Sequence, residues 1–277
     1  MALLYGKPVA DKILADTENR IRTAGVVPGL AVILIGDDAP SHLYVGLKEK
    51  AAQKIGIRFE KFLFAADVVV EKIFLCIDAL NERADIHGII VQLPLPETLD
   101  ADKIIARIDP KKDTDGFHAE TLRSFLAGNR EACPVFPRAV IELLRAGKGY
   151  AIGEKGLVLA NSELLGRVMV QALALEGLRA EYILSSAPPE TISEKTKSAR
   201  VIVTACGIAN MLIGGMLSEK SIVIDGGATY LDGKVVGDAD RASVENKTCF
   251  LSPVPGGVGP VTVAMLLARV TEAALRI

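Results

Sequence analysis

The sequence predicts an α/β fold with two lobes, each built on a mainly parallel sheet. Three observations support this prediction. The 277 residues exceed the roughly 100 to 150 residues typical of one domain. Short β-branched runs alternate with segments of helical periodicity, which is typical of parallel sheets covered by helices. The alternation loosens once, over residues 109–137, where three prolines and two glycines fall, so we place the crossing between the lobes there.

The first lobe begins with apolar residues at helical spacing over residues 9–21. An uninterrupted apolar run at 30–35 then predicts a buried strand that ends at the Gly36 turn. Ser41 is placed to cap the helix that follows. The remaining predicted elements are helix 41–54, strand 58–64, helix 69–81, strand 88–91 and a short helix at 119–126.

The second lobe repeats the alternation. Its predicted elements are strand 156–160, helix 164–176, strand 180–184, helix 189–198, strand 201–204 and strand 221–224. A final helix at 261–275 follows Pro260, and we expect it to return and pack on the first lobe. The predicted domains are residues 1–118, completed by about 258–277, and residues 138–257.

Composition argues against several classes of function. A formal net charge of −2 without a basic run argues against a nucleic-acid partner. No uncharged apolar run reaches the roughly 20 residues of a membrane span, and Lys7 and Asp11 interrupt the region where a signal peptide is apolar. The four cysteines form no CxxC pair, which fits a reducing cytoplasm. The three histidines form no HExxH pair, so we expect no metal site.

Tyr44 and Lys48 lie four residues apart on the predicted helix 41–54, so their side chains project from one face as neighbours. A lysine acts as an acid or base near neutral pH only when burial or a nearby cation lowers its pKa. A tyrosine beside it can stack on a planar ligand. The alternative is an exposed lysine on an ordinary amphipathic helix.

Gln92 comes directly after the predicted strand 88–91, and ligands of open α/β sheets lie at the carboxyl ends of strands. Pro94 stiffens the loop that follows. An exposed glutamine at a proline-ended strand is the alternative. Gln92 is therefore a candidate ligand contact at the end of this strand.

Asp115 precedes Gly116 in an acidic stretch, and a carboxylate at a turn can accept paired N–H donors of a heterocycle. An EF-hand alignment would place Lys111 and Leu122 at ligand positions, so a calcium loop is rejected. The alternative is a solvated acidic loop.

Two glycine-containing turns follow. Ala160, Asn161, Ser162 and Gly166 occupy the turn between strand 156–160 and its helix, where a nucleotide phosphate binds in such folds. The pattern G-x-G-x-x-G is absent, so an ordinary connecting loop is the alternative. The stretch PVPGGVGPVT at 253–262 lacks the lysine of a P-loop, and its prolines stiffen a loop suited to contact with a flat ligand.

Taken in order, these segments resemble the bifunctional methylenetetrahydrofolate dehydrogenase/methenyltetrahydrofolate cyclohydrolase family. The matching stretches are SHLYVGLKEKAAQKIGI at 41–57, GIIVQLPLP at 88–96, DPKKDTDGFH at 109–118 and PVPGGVGPVT at 253–262. The resemblance implies an N-terminal folate and catalytic domain and a Rossmann-like NAD(P)-binding domain. It also implies a tetrahydrofolate substrate, NADP or NAD as coenzyme, no metal, and a cytoplasmic homodimer.

The resemblance further implies roles for individual residues. Lys48 would be the catalytic lysine, oriented by Gln92, with Tyr44 packed on the folate ring and Asp115 holding the pterin N–H groups. The folate pocket would also be lined by Pro94, Pro255 and Gly256. The coenzyme would contact Ala160, Asn161, Ser162, Gly166 and Ser186.

The coenzyme half departs from the family pattern. Ala160-Asn161-Ser162 stands where the family has a glycine, an arginine or alanine, and a serine, and no histidine or lysine follows strand 180–184 to hold a 2′-phosphate. Arg167 and Arg179 remain as candidates for that contact, so the choice between NAD and NADP stays open. Two alternatives remain: a cyclohydrolase-only or non-catalytic folate-binding homologue, and another NAD(P)-dependent dehydrogenase of the same architecture.

Overall fold

The computed structural model describes residues 2–231 and 233–276. The chain divides into two compact units. The N-terminal unit comprises Asp11–Val135 with the C-terminal residues from Val263, and the C-terminal unit comprises Phe136–Thr262 with the N-terminal residues through Ala10. Each unit is built on a parallel sheet, so the predicted two-lobed α/β fold is confirmed.

Within the described residues, the strands are β1 Ala2–Leu3, β2 Gly29–Ile35, β3 Arg58–Phe64, β4 Gly88–Val91, β5 Lys155–Ala160, β6 Arg179–Leu184, β7 Val201–Ala205, β8 Ser221–Asp225, β9 Thr229–Leu231, β10 Lys234–Val236 and β11 Thr248–Ser252. The α-helices are α1 Gly6–Ala24, α2 Ala39–Lys54, α3 Val70–Glu82, α4 Ala101–Ile105, α5 Ala119–Leu126, α6 Val135–Gly147, α7 Glu163–Leu175, α8 Pro189–Ser198, α9 Arg241–Val244 and α10 Val258–Ala274.

The sheet of the N-terminal unit has the order β3-β2-β4, with β2 paired in parallel to both neighbours. Every residue of β2 is buried, as its uninterrupted apolar run predicts. Buried side chains of α3 and α4, among them Ile73, Ile77 and Ile104, pack with β2 and β4 into one core. The sheet therefore holds the carboxyl ends of β2 and β4 side by side.

The last helix returns to this unit, as predicted. Arg269 of α10 donates hydrogen bonds to the carbonyl oxygens of Cys133 at 2.8 Å and Asp113 at 3.4 Å. The fully buried Val270 follows it in the same helix. The segment near Asp113 is thereby held from the far end of the chain.

The start of α2 differs from the prediction. Asp38, not Ser41, is the N-cap, and its carboxylate accepts hydrogen bonds from the Ser41 amide at 2.9 Å and the Ser41 hydroxyl at 2.6 Å. These hydrogen bonds lower the pKa of Asp38. The prediction that Ser41 caps this helix was wrong because the helix begins at Ala39, so Ser41 lies in its first turn and donates to the cap residue.

The sheet of the C-terminal unit has the order β1-β11-β8-β7-β5-β6, and every pair is parallel. After β5 the chain adds β6 on one side of that strand and β7 on the other, and the gap between β5 and β7 is where ligands bind in open α/β sheets.

Four features of this region were not predicted from the sequence: β1, β11, the β9–β10 hairpin and α6. Pro137 indicated a loop where α6 begins. A proline is nevertheless tolerated in the first turn of a helix, because the amides there lack intrahelical acceptors.

Among the described residues, no helix is long and apolar enough to cross a membrane.

Candidate active site

Lys48 and Gln92 meet in the N-terminal unit. Gln92 directly follows β4, and its amide continues the ladder by donating to the Ile33 carbonyl at 2.9 Å. The Lys48 Nζ donates to Gln92 Oε1 at 2.9 Å. Gln92 Nε2 donates to the Leu93 carbonyl at 2.6 Å, so the side-chain amide is held with its oxygen toward the lysine. The structure thus brings together two side chains that the sequence singled out separately.

The electrostatics of the site favour proton exchange at the lysine. Burial lowers the pKa of Lys48, and the negative charge of Asp115 opposes that shift. Burial raises the pKa of Asp115, while the Lys48 cation opposes the rise and the neighbouring Asp113 adds to it. A lowered pKa increases the fraction of a lysine that is neutral at a given pH, and the neutral amine can accept a proton.

Asp113 shapes the turn that carries Asp115. Residue 113 forms a parallel bridge to Ile89 of β4. Its buried carboxylate accepts hydrogen bonds from the amides of Gly116 and His118, each at 2.9 Å. The sequence analysis noted this acidic stretch without assigning Asp113 a role. The signal was present, since an aspartate three residues before a glycine is typical of a side-chain-stabilised turn.

Tyr44 and Pro94 flank the lysine and the glutamine along the chain. Tyr44 is half-buried and lies one turn before Lys48 on α2. Pro94 is exposed and follows a cis peptide bond two residues after Gln92. Tyr44 thus shares a helix face with Lys48, and Pro94 lies in the loop that follows Gln92.

Pro255 and Gly256 belong to the C-terminal unit. The Val254–Pro255 peptide bond is cis, and Gly256 has a φ of +102°, which a residue with a side chain rarely adopts. The Gly256 carbonyl accepts a hydrogen bond from the Gly6 amide at 2.8 Å, where α1 begins. The loop at 253–257 therefore contacts the start of α1 and leads directly into α10.

The turn between β5 and α7 has the form of a phosphate-binding turn. Ser162 is the N-cap of α7, and its hydroxyl accepts a hydrogen bond from the Leu165 amide at 3.4 Å. Asn161 is exposed, and its amide donates to the Ala205 carbonyl at the end of β7 at 3.3 Å. Ala160 is fully buried, so only its backbone can contribute to binding. The N-terminus of α7, with its partial positive charge, suits a dinucleotide phosphate.

Gly166 serves packing in this turn. A Cβ at this position would lie 2.5 Å from the ring of Tyr182 on β6, so the glycine lets α7 approach the sheet. Close helix-to-strand packing is one of the functions of glycine in dinucleotide-binding turns. Ser186 is exposed in the connection between β6 and α8, as a coenzyme contact requires.

The two arginines considered for the 2′-phosphate lie in different places. Arg167 is exposed on α7. Arg179 is the first residue of β6, and its side chain donates to the Gly153 carbonyl at 2.6 Å. That position is the amino end of the strand, at the opposite edge from the β5–α7 turn, so Arg179 is ruled out as the phosphate contact.

Two buried carboxylates that the sequence analysis did not assign lie in the same unit. Asp225 ends β8, and Asp238 lies beyond the β9–β10 hairpin. Burial raises the pKa of both, that of Asp225 to about 6, with backbone donors opposing the rise in each case. Within the described residues, no group of three histidine, cysteine, aspartate or glutamate side chains is placed to hold a metal ion.

Two family models match the chain. The tetrahydrofolate dehydrogenase/cyclohydrolase catalytic domain matches residues 4–115, and the corresponding NAD(P)-binding domain matches residues 134–277. A curated relative, bifunctional protein FolD of Bacillus subtilis (strain 168), is 38% identical over 264 residues, which cover 95% of this chain and 93% of the relative.

Solved structures agree with these matches. The bifunctional enzyme FolD of Campylobacter jejuni superposes with a TM-score of 0.93 at 34% identity, covering 100% of this chain and 99% of that one. FolD of Trypanosoma brucei, complexed with NADP cofactor and an inhibitor, superposes with a TM-score of 0.93 at 30% identity, covering 99% and 97%. The chain therefore belongs to the tetrahydrofolate dehydrogenase/cyclohydrolase family.

Proposed function

We propose that this protein catalyses two consecutive steps of folate one-carbon metabolism. It oxidises 5,10-methylenetetrahydrofolate to 5,10-methenyltetrahydrofolate with NAD(P) and hydrolyses the product to 10-formyltetrahydrofolate. The observation that carries the proposal is the hydrogen bond from Lys48 to Gln92 in a half-buried site. There the negative charge of Asp115 acts on the lysine. Relatives that share about a third of the sequence over its whole length carry the same bifunctional description.

In the hydrolytic step, water attacks the electrophilic methenyl carbon while the neutral amine of Lys48 accepts the proton that the water releases. The resulting ammonium then protonates the ring nitrogen as its bond to that carbon breaks. Gln92 keeps the amine in place throughout, because its oxygen accepts from either protonation state. Asp115 accepts paired N–H donors of the pterin, and Tyr44 packs on the ring.

In the oxidative step, Asn161, Ser162 and the first-turn amides of α7 hold the coenzyme, with Ser186 beside them. When bound, the coenzyme supplies the two-electron oxidant. The folate nitrogen stabilises the cation that develops on the methylene carbon, so the chain contributes positioning and no further acid or base is needed. This step accounts for the phosphate-type turn after β5.

The domain assignment, the assembly and the compartment form part of the proposal. Residues 1–118, completed by about 258–277, form the folate and catalytic domain, in which Pro94 lines the pocket. Residues 138–257 form the coenzyme domain, with Pro255 and Gly256 at its end as further folate contacts. We infer a cytoplasmic homodimer, and a reducing compartment is supported because Cys76, Cys133, Cys206 and Cys249 form no disulfide in the described residues. Light scattering tests the dimer.

The hydrolytic half is tested with a matched pair of lysine variants. Lys48→Met removes the proposed base, and Lys50→Met removes an exposed lysine two residues further along α2. We expect Lys48→Met to slow methenyltetrahydrofolate hydrolysis by about a hundredfold or more, the usual contribution of general acid and base catalysis. Lys50→Met should stay near the wild-type rate. Equal rates for the two variants would remove Lys48 from the mechanism.

A further inference from the structure

We propose that Asp225 and Asp238 are positioning residues for the coenzyme, because they hold the loop after β7 in its binding conformation. The inference rests on the proposed dehydrogenase function and deepens it. It concerns side chains to which the sequence motifs assigned no function. All of the residues involved lie in the C-terminal unit.

The loop after β7 borders the crevice at the carboxyl ends of the sheet. The strand order reverses between β5 and β7, so the crevice for a ligand opens at the carboxyl ends of these two strands. One side of the crevice is the β5–α7 turn, and the other is the loop that starts at Cys206. The Asn161 amide donates to the Ala205 carbonyl, which joins the two sides directly. A shift of this loop therefore changes the site where the coenzyme binds.

The carboxylate of Asp238 holds this loop through two of its amides. Asp238 Oδ2 accepts a hydrogen bond from the Cys206 amide at 2.6 Å, and Oδ1 accepts one from the Ile208 amide at 2.9 Å. Both carboxylate oxygens are thus used on amides of one short loop from a position about 30 residues further along the chain. An asparagine cannot replace the aspartate here, because its NH₂ group would face an amide donor.

The carboxylate of Asp225 in turn holds the backbone at Asp238. Asp225 Oδ1 accepts hydrogen bonds from the Thr204 hydroxyl at 3.0 Å and from the amides of Gly227 at 3.0 Å and Asp238 at 3.1 Å. Its Oδ2 accepts from the Ala239 amide at 2.9 Å. The chain of contacts runs from the end of β8 to residues 238–239 and from there to the loop after β7. Both carboxylates are almost completely buried, so water does not compete for these bonds.

Two glycines leave the space that the carboxylates occupy. A Cβ on Gly227 would overlap the carboxylate of Asp238, and a Cβ on Gly237 would overlap that of Asp225. The backbone at Gly227 and at Gly237 therefore packs directly against the two carboxylates.

The test compares Asp238→Asn with Asp240→Asn. Asp240 lies two residues away and makes no side-chain cap to α9. Both activities, the coenzyme KM and the thermal midpoint are measured for each variant and the wild type. We expect Asp238→Asn to raise the coenzyme KM about tenfold, the effect of one lost hydrogen bond to a charged group. The dehydrogenase kcat at saturating coenzyme and the cyclohydrolase rate should stay near wild type, and Asp240→Asn should change neither KM nor kcat.

A lower thermal midpoint with an unchanged coenzyme KM would overturn the inference, since the pair would then serve stability alone. If Asp238→Asn does not fold, Thr204→Val decides, because it removes one donor to Asp225 and keeps the shape of the side chain. We expect it to raise the coenzyme KM about threefold, and an unchanged KM would overturn the inference. A wild type that hydrolyses methenyltetrahydrofolate yet neither binds nor turns over NAD or NADP would instead refute the dehydrogenase half of the proposed function.

Discussion

Replacing Gln92 should move the pH dependence of hydrolysis in a direction set by the replacement. The Lys48 Nζ donates to Gln92 Oε1 at 2.9 Å, so the amide oxygen stabilises the ammonium more than the amine. Gln92→Met removes this acceptor and keeps a similar volume. Gln92→Glu places a carboxylate at the same position. Because the neutral amine is the proposed base, the rate rises with pH through the pKa of Lys48.

The size of the shift follows from the strength of the bond. A hydrogen bond to a charged group is worth about 1.5–3 kcal/mol and a neutral one about 0.5–1.5 kcal/mol. The difference, about 1 to 1.5 kcal/mol, corresponds to roughly one pKa unit. Gln92→Met should therefore lower the pKa of Lys48 by about one unit and move the rising limb to lower pH. Gln92→Glu should raise that pKa by about one unit, the low end for a nearby carboxylate, because the site is only half-buried.

The assay is the pH profile of kcat for methenyltetrahydrofolate hydrolysis, with the rate of an enzyme-free blank subtracted at each pH. Gln53, an exposed glutamine near the end of α2, supplies the matched controls Gln53→Met and Gln53→Glu. Neither control should move the limb. If the two Gln92 variants shift the rising limb of the kcat profile in the same direction, or if neither shifts it, Gln92 does not set the pKa of Lys48 through this hydrogen bond.

Three further predictions concern the C-terminal unit. The pKa of Asp225 is raised to about 6, so its contribution to stability is fully present below about pH 4 and is lost as the pH rises through 6. Between pH 4 and 7 the free energy of unfolding of the wild type should fall relative to that of Asp225→Asn by at most about 3 kcal/mol, measured with urea, and parallel curves would contradict this. Gly166→Ala should destabilise by about 1–3 kcal/mol through overlap with the Tyr182 ring. Gly46→Ala, a helical glycine with open space around it, should instead stabilise by up to about 1 kcal/mol, and similar urea midpoints for the two glycine variants would count against the packing role. Because no basic residue follows β6 at 185–188, NAD and NADP should raise the thermal midpoint by similar amounts at equal concentration. Stabilisation by NADP alone would show that a cation elsewhere binds the 2′-phosphate.

Local sequence patterns predicted best those helices and strands that are specified by their own residues. The fully apolar run of β2 leaves no face for solvent, and α5 and α8 fall at the predicted residues. Local patterns did not predict α6, because the prolines indicated a loop. They did not predict β11 either, because its polar residues are not typical of a strand. In both cases burial against the rest of the unit overrides local preference.

The sequence by itself determined the alternation of strands and helices and the single-face arrangement of Tyr44 and Lys48. Only the tertiary structure decided which strand ends are neighbours. It paired Lys48 with Gln92 across 44 residues and Asp238 with the Cys206 amide across 32. Spacing along a chain reports on one helix face or one strand, whereas the order of strands in a parallel sheet is set by how the connecting helices bury their apolar faces. That packing places distant carboxylates and amines together, and their burial then shifts the pKa values on which the proposed chemistry depends.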